Sequence, residues 1–149
     1  MKSNQEDYLK YWRVIRQFTK IKYGLTQADL DMIFFLYSEV YFDRDKFLEF
    51  DSLLGWDKNR FNRLINSGWI EVFRSPMTPG GRRAIYKLST KSTAMVKSVY
   101  KKLNGEEIPV SQSQNKMFAR NVSYTDKRYR AMIKEMNAVI KQQRHHAPE

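Results

Sequence analysis

Between Lys58 and Asn66 the chain sets Lys58, Asn59, Arg60, Asn62, Arg63 and Asn66 within nine residues, with no acid among them. These residue types match nucleic-acid chemistry. An Asn amide offers a donor and an acceptor side by side, as the adenine edge requires in a major groove, and Arg matches guanine in the same bidentate way. Lys and flanking Arg more often hold phosphates and fix register. On a helix, at about 100° per residue, Phe61, Leu64 and Ile65 fall on one side and Asn59, Arg63 and Asn66 on the other. Asn62 lies near that polar side, with Lys58 and Arg60 on its flanks. An ordinary solvated helix face is the plain alternative, but such faces mix signs and this one does not.

A second set of cations follows. Arg74, Arg82 and Arg83 surround Ser75–Gly81, a stretch rich in Pro and Gly that reads as a loop. Guanidinium groups at a loop end can enter a narrow minor groove, or simply stand in solvent. Over residues 57–102 Lys and Arg outnumber Asp and Glu eleven to two, whereas residues 1–56 carry eight against nine and residues 103–149 eight against five. A concentrated positive segment attracts a polyanion, because each neutralised phosphate releases counterions.

The elements that must carry these groups are legible from period and punctuation. Tyr8, Trp12, Ile15 and Phe18 give an amphipathic helix over 6–23, which Gly24 stops. Thr26 caps a second helix to about Glu39, with Asp29 in the capping-box position. Asp43 or Asp45 caps a third, short helix through Leu54, and Gly55 turns the chain. Asp57 caps a fourth helix to Ser67, and Gly68 ends it. Two short helices around a Gly-containing turn make a helix-turn-helix pattern. Residues 69–74 and 83–88 then read as two strands of a hairpin. Ser89 caps a helix to about Leu103. Residues 104–123, broken by Pro109, read as an irregular linker with room for a short helix near Lys116. Asp126 opens a final helix to about Gln143. Its Tyr129, Met132, Ile133, Met136, Val139 and Ile140 form a seam narrow enough for a partner helix.

Other chemistries find no support. The chain has no Cys, so disulfides, thiolate catalysis and Cys-based zinc sites are excluded. Its only histidines are His145 and His146, near the end of the sequence. The acid pairs Asp43/Asp45 and Glu106/Glu107 lack a third ligand and sit beside helix starts, where acids favour the dipole. Pro79–Gly80–Gly81–Arg82 lacks the Lys and spacing of a phosphate-binding loop. No run of about 18 apolar residues exists to span a membrane, and the first ten residues lack the apolar stretch of a signal peptide. The expectation is a cytoplasmic, non-enzymatic protein without metal or cofactor.

Several motifs together resemble the MarR family of transcription regulators. Gly24–Leu25–Thr26–Gln27–Ala28–Asp29–Leu30 is similar to the family's LTxxQF opening of its second helix. Asn66–Ser67–Gly68–Trp69–Ile70–Glu71 is similar to its xxGWVER exit from the recognition helix, and 80–89 to its wing, DxRxxxVxLT. The order of elements matches from Tyr8 to about Leu103. The family's wing acid is Gly80 here, and the stretch from Gly55 to Gly68 is about one helical turn shorter than usual.

The resemblance implies a homodimer on double-stranded DNA, with recognition helices in successive major grooves and wing arginines, Arg82 among them, in the flanking minor grooves. It implies that first and last helices interlock between protomers through Tyr8, Trp12, Ile15, Tyr129, Met132, Ile133, Met136, Val139 and Ile140. The aromatics Tyr11, Trp12 and Phe18 either line a pocket for a small-molecule effector of unknown identity or form dimer core; core is preferred. The fold expected is mainly α with a small β-hairpin wing, one domain over 1–149. Within it, 25–90 is a winged helix-turn-helix core and 6–23 and 124–143 are dimerisation helices. The rival functions are a structural or protein-interaction module, as in a phage particle or packaging complex, and a replication or partition protein.

Overall fold

Glycines and short polar side chains cut this chain into its helices. The computed structural model describes residues 8–76 and 83–146, with side chains through residue 144. In chain order the elements are α1 (Tyr8–Tyr23), α2 (Gln27–Tyr37), β1 (Tyr41–Phe42), α3 (Arg44–Leu54), α4 (Arg60–Asn66), β2 (Ile70–Arg74), β3 (Ile85–Leu88) and α5 (Thr90–Leu103). A short 3-10 helix (Lys116–Phe118) and α6 (Tyr124–His146) follow. No helix among the described residues is long and apolar enough to cross a membrane.

The caps decide the boundaries. Thr26 Oγ1 accepts the Asp29 amide at 3.1 Å and starts α2. Asp43, not Asp45, caps α3: its carboxylate accepts the Lys46 amide at 2.9 Å. Ser89 Oγ accepts from the Ser92 amide at 3.3 Å ahead of α5. Ser123 Oγ accepts from the Asp126 amide at 3.1 Å, so α6 begins two residues before Asp126.

The chain divides into two compact units, Thr26–Lys97 and the combination of Met1–Leu25 with Ser98–Glu149. In the first, α2 and α3 pack together and α4 leads directly into a three-stranded antiparallel sheet of order β1-β3-β2. Tyr41 faces Lys87 and Phe42 faces Tyr86 on one edge; Ile70 faces Leu88 and Val72 faces Tyr86 on the other, with a bulge between Val72 and Arg74. The hairpin expected from the sequence is therefore joined by a third strand. At two residues, β1 is too short to show a period of two. Leu30, Ile33, Leu36, Phe47, Leu64, Ile70 and Met95 form the buried core here.

In the second unit α6 packs on α1 and on the 3-10 helix. The irregular segment before α6 is held by two buried asparagines. Asn137 donates to the Ile108 carbonyl at 2.9 Å and accepts the Ile108 amide at 3.0 Å. Asn115 donates to the Pro109 carbonyl at 2.8 Å and accepts from the Met117 amide at 3.1 Å. Unpaired backbone groups at Ile108 and Met117 would be costly, since both residues are buried.

Of the residues expected at a seam between protomers, Ile15, Ile133, Met136 and Ile140 are at most 2% exposed within the single chain. Trp12, Tyr129 and Val139 are half-buried, and Tyr8 and Met132 are exposed. The apolar stripe of α6 thus finds much of its cover inside one chain.

The cap assignment has a direct check. Asp43→Ala is expected to lower the unfolding free energy by about 1 kcal/mol. Asp45→Ala, which loses only a surface ion pair, should lower it by less. Urea denaturation of the two variants distinguishes them; equal losses would remove the cap assignment.

Candidate nucleic-acid interface

α4 is shorter than its sequence pattern suggests, and the reason is Asp57. Its carboxylate accepts the Asn59 amide at 2.9 Å, and its carbonyl accepts the Arg60 amide at 3.2 Å. This turn delays the helix until Arg60, so Asp57 is not the helix cap expected from the sequence. Asn59 takes the N-cap position without a side-chain cap bond. At the far end Gly68, at φ +82°, donates to the Ile65 carbonyl at 3.1 Å, and Trp69 donates to the Leu64 carbonyl at 2.9 Å. These two bonds form a Schellman stop, for which a left-handed glycine is suited. Lys91 donates to the Ser67 carbonyl at 3.2 Å, and its ammonium lies 3.9 Å from the Trp69 ring centroid. Sequence reasoning gave Lys91 no role.

The inner face of α4 is apolar and aromatic. Leu64 is fully buried and Phe61 nearly so. The Phe61 ring meets Phe47 and Tyr86 edge-on, with centroids at 4.9 and 5.0 Å. The outer face carries Asn59, Asn62, Arg63, Asn66 and Ser67, all exposed, which line one shallow depression. Lys58 stands exposed just before it.

Arg60 does not belong to that face. It is only 5% exposed, and its guanidinium reaches Asp29 Oδ1 at 3.0 Å, Asp51 Oδ1 and the Gly55 carbonyl at 3.1 Å. The expectation of a phosphate-holding flank is corrected: at the inward edge of a short helix, its charge is taken by acids from α2 and α3. Asp29 is corrected with it, because its carboxylate serves the two arginines rather than a capping box. Arg63 stays exposed, yet it donates to Asp29 at 2.8 and 3.1 Å and to Asp57 at 3.1 Å. Hydrogen bonding to Asp29 is the main reason the Arg63 pKa is raised above its ordinary value. The Asn59 amide, then Arg63, holds the Asp57 carboxyl below the usual carboxylate range. Asp29, Asp51, Arg60 and Arg63 thus form one network joining α2, α3 and α4. Asp29 lies 31 residues from Arg60 in sequence, and no local signal announced the pairing.

The hairpin arginines are also engaged. Arg74 is half-buried and donates to the Arg83 carbonyl at 3.3 Å; its Nε is buried with no hydrogen-bond partner among the described residues. Arg83 is exposed and pairs with Asp45, with Asp43 at 3.7 Å. The acid pair considered for metal binding is therefore an arginine clamp and a helix cap. Arg82 and the loop tip lie outside the described residues.

A helix-turn-helix whose second helix runs into an antiparallel hairpin, closed by a short third strand, is a winged helix, and Thr26–Lys97 has that fold. No family model matches the sequence, and no curated protein matches it. Among solved structures the chain is similar to the crystal structure of a mutant MarR from E. coli complexed with operator DNA. That match has 16% sequence identity and a TM-score of 0.44, and covers 89% of this chain and 86% of the other.

Two outcomes test the network. Arg60→Ala leaves Asp51 buried without its cation and is expected to destabilise the protein by about 3–5 kcal/mol in denaturant unfolding; a loss below about 1 kcal/mol would show that the network does not hold α4. Asp57 contributes stability above its unfolded-state pKa, and the contribution disappears as pH falls through its lower folded-state pKa. In carboxyl NMR titrations its midpoint should lie below the ordinary range. In Arg63→Ala it should move part of the way back, since the Asn59 amide remains.

Proposed function

We propose that this chain is a MarR-like transcription regulator that binds double-stranded DNA in a sequence-dependent manner as a homodimer in the cytoplasm. The observation that carries the reading is the outer face of α4. It presents Asn59, Asn62 and Asn66 to solvent with no acid between Lys58 and Ser67. The helix bearing them is held to α2 and α3 by buried ion pairs and followed at once by a wing. An exposed row of amides on a fixed helix suits base edges better than it suits phosphates.

On this reading the roles differ from those the sequence suggests. Arg63 shares its guanidinium with Asp29 and Asp57, so base reading falls mainly to the three asparagines. Their amides pair with adenine N6 and N7, which makes each half-site adenine-containing rather than guanine-containing. Lys58 is the phosphate contact of the helix start, and Arg74 and Arg83 support the wing. Two copies of α4 in one dimer would read half-sites about one DNA turn apart. Of the residues assigned to the dimer seam, Tyr8 and Met132 are the exposed ones.

Selection of bound sequences from a random duplex pool, at physiological salt, is the test. The expected result is a pseudo-palindrome with adenine at fixed positions in each half. Asn62→Ala should cost about 1–3 kcal/mol on that site and little on random duplex. Guanine at a fixed position, lost in Arg63→Ala, would return base reading to the arginine. No enrichment from a folded protein would replace the regulator with a structural or protein-interaction module.

A further inference from the structure

The winged-helix unit is not where most of the positive charge lies. Residues 26–97 hold eleven Lys and Arg against nine Asp and Glu, a net charge of +2. The rest of the chain, which forms the helical unit, holds sixteen against seven, a net of +9. Among the described residues, three of those cations pair with carboxylates: Lys102 with Glu106, and Lys141 and Arg144 with Glu107.

On α6 the cations form a stripe. At 100° per residue Lys127, Arg130, Lys134 and Lys141 fall within about 60° of one another. The helix's two acids, Asp126 and Glu135, fall outside that arc. Lys127 and Lys134 are exposed and Arg130 half-exposed, and none of the three has a carboxylate partner among the described residues. Arg130 and Lys134 flank the Phe118 ring, with their charges 5.8 and 5.9 Å from its centroid. Phe118 belongs to the 3-10 helix that α6 packs on. Lys116 and Arg120, at the ends of that segment, are exposed and equally without a carboxylate partner among the described residues.

We infer that this face of the helical unit, Lys116, Arg120, Lys127, Arg130 and Lys134, is a second nucleic-acid surface, which holds the phosphate backbone without reading sequence. Charge complementarity selects the occupant. A row of unpaired cations on a rigid helix suits a regular polyanion, each contact gaining from counterion release. A lipid surface is a poor fit, because binding in a bilayer interface needs an apolar face beside the cations. Ile133, Met136 and Ile140, which form the centre of the apolar side of α6, are instead buried. This surface rests on its own residues and stands whether or not α4 reads bases.

The test uses the full-length protein with Lys127→Gln, Arg130→Gln and Lys134→Gln combined, and a random-sequence duplex of about two helical turns. The salt slope of log K should fall by about 0.9 for each phosphate contact removed. The same variant should select the same sequence motif as the wild type. Asn62→Ala serves as the converse control: it should weaken motif selection without lowering the salt slope, which counts phosphate contacts. If folding of the triple variant is impaired, Lys127→Gln alone, at an exposed position near the start of α6, should still lower the slope. An unchanged slope in a folded variant would overturn the inference. So would binding of polyglutamate or of anionic vesicles as tight as that of duplex at equal salt, which would give the face to an acidic protein or to a membrane. Loss of motif selection in Asn62→Ala alone bears on α4 and not on this surface.

Discussion

The placement of α4 depends on Arg60. A seven-residue helix has no stability of its own, since isolated helices shorter than about 12–15 residues are marginal in water. Its inner face supplies two well-buried apolar side chains, Phe61 and Leu64. The guanidinium of Arg60 adds bonds to Asp29 at the start of α2, to Asp51 near the end of α3 and to the carbonyl of Gly55 in the turn. Burial of these charges is unfavourable by itself. Offsetting it requires all three partners at once, and this fixes the angle of α4 to the two preceding helices. Apolar packing would favour the same contact but would tolerate rotation about the helix axis. These directional bonds set which way the outer face, with Asn59, Asn62 and Asn66, is turned.

That arrangement also changes what the charge pattern means. In sequence, residues 57–102 look like a polyanion-binding segment and residues 1–56 like a neutral one. In the fold the two are interleaved. Asp29 and Asp51 from the neutral segment take up Arg60 and part of Arg63, while Asp43 and Asp45 take up Arg83. Lys87 has Glu71 across the sheet at 3.5 Å. Among the described residues, the cations without a carboxylate partner are mostly elsewhere, on α1, α6 and the segment before α6. Net charge along a sequence predicts a partner only when the opposite charges stay apart in the fold.

What was legible in the sequence was local. Gly24, Gly55 and Gly68 all take positive φ where they were expected to turn the chain, and Thr26, Asp43 and Ser89 cap helices as their spacing suggests. Helix order, the hairpin and the outward set Asn59, Asn62, Arg63 and Asn66 followed from period alone. The misplaced features involve partners distant in sequence or competition between two local motifs. Arg60 looked like a flank because the acids that bury it come from 9 and 31 residues away. Asp57 looked like a cap because both a cap and the turn it makes begin with the same residue type. The apolar stripe of α6 is real, but a stripe does not say whether its cover comes from the same chain or another. Here Asn137 sits within it, buried, and is used to hold Ile108.

If the proposed function holds, the division of charge separates affinity from selectivity. Phosphate contacts act on every sequence alike, so adding them to the reading helix raises competition from nonspecific sites along with affinity. On the proposed reading, a unit near neutrality limits that competition: its amides gain little on a wrong base, and Arg60, Arg63 and Arg83 are engaged by acids of the same unit. Affinity then has to come from cations placed on other elements, where they can be tuned without disturbing α4. The sequence of this chain fits such a division. Asparagines occupy the outer face of the helix fixed by Arg60, while lysines and arginines occupy the outer face of a helix whose core residues are Ile133, Met136 and Ile140. The two faces lie in different compact units of the chain.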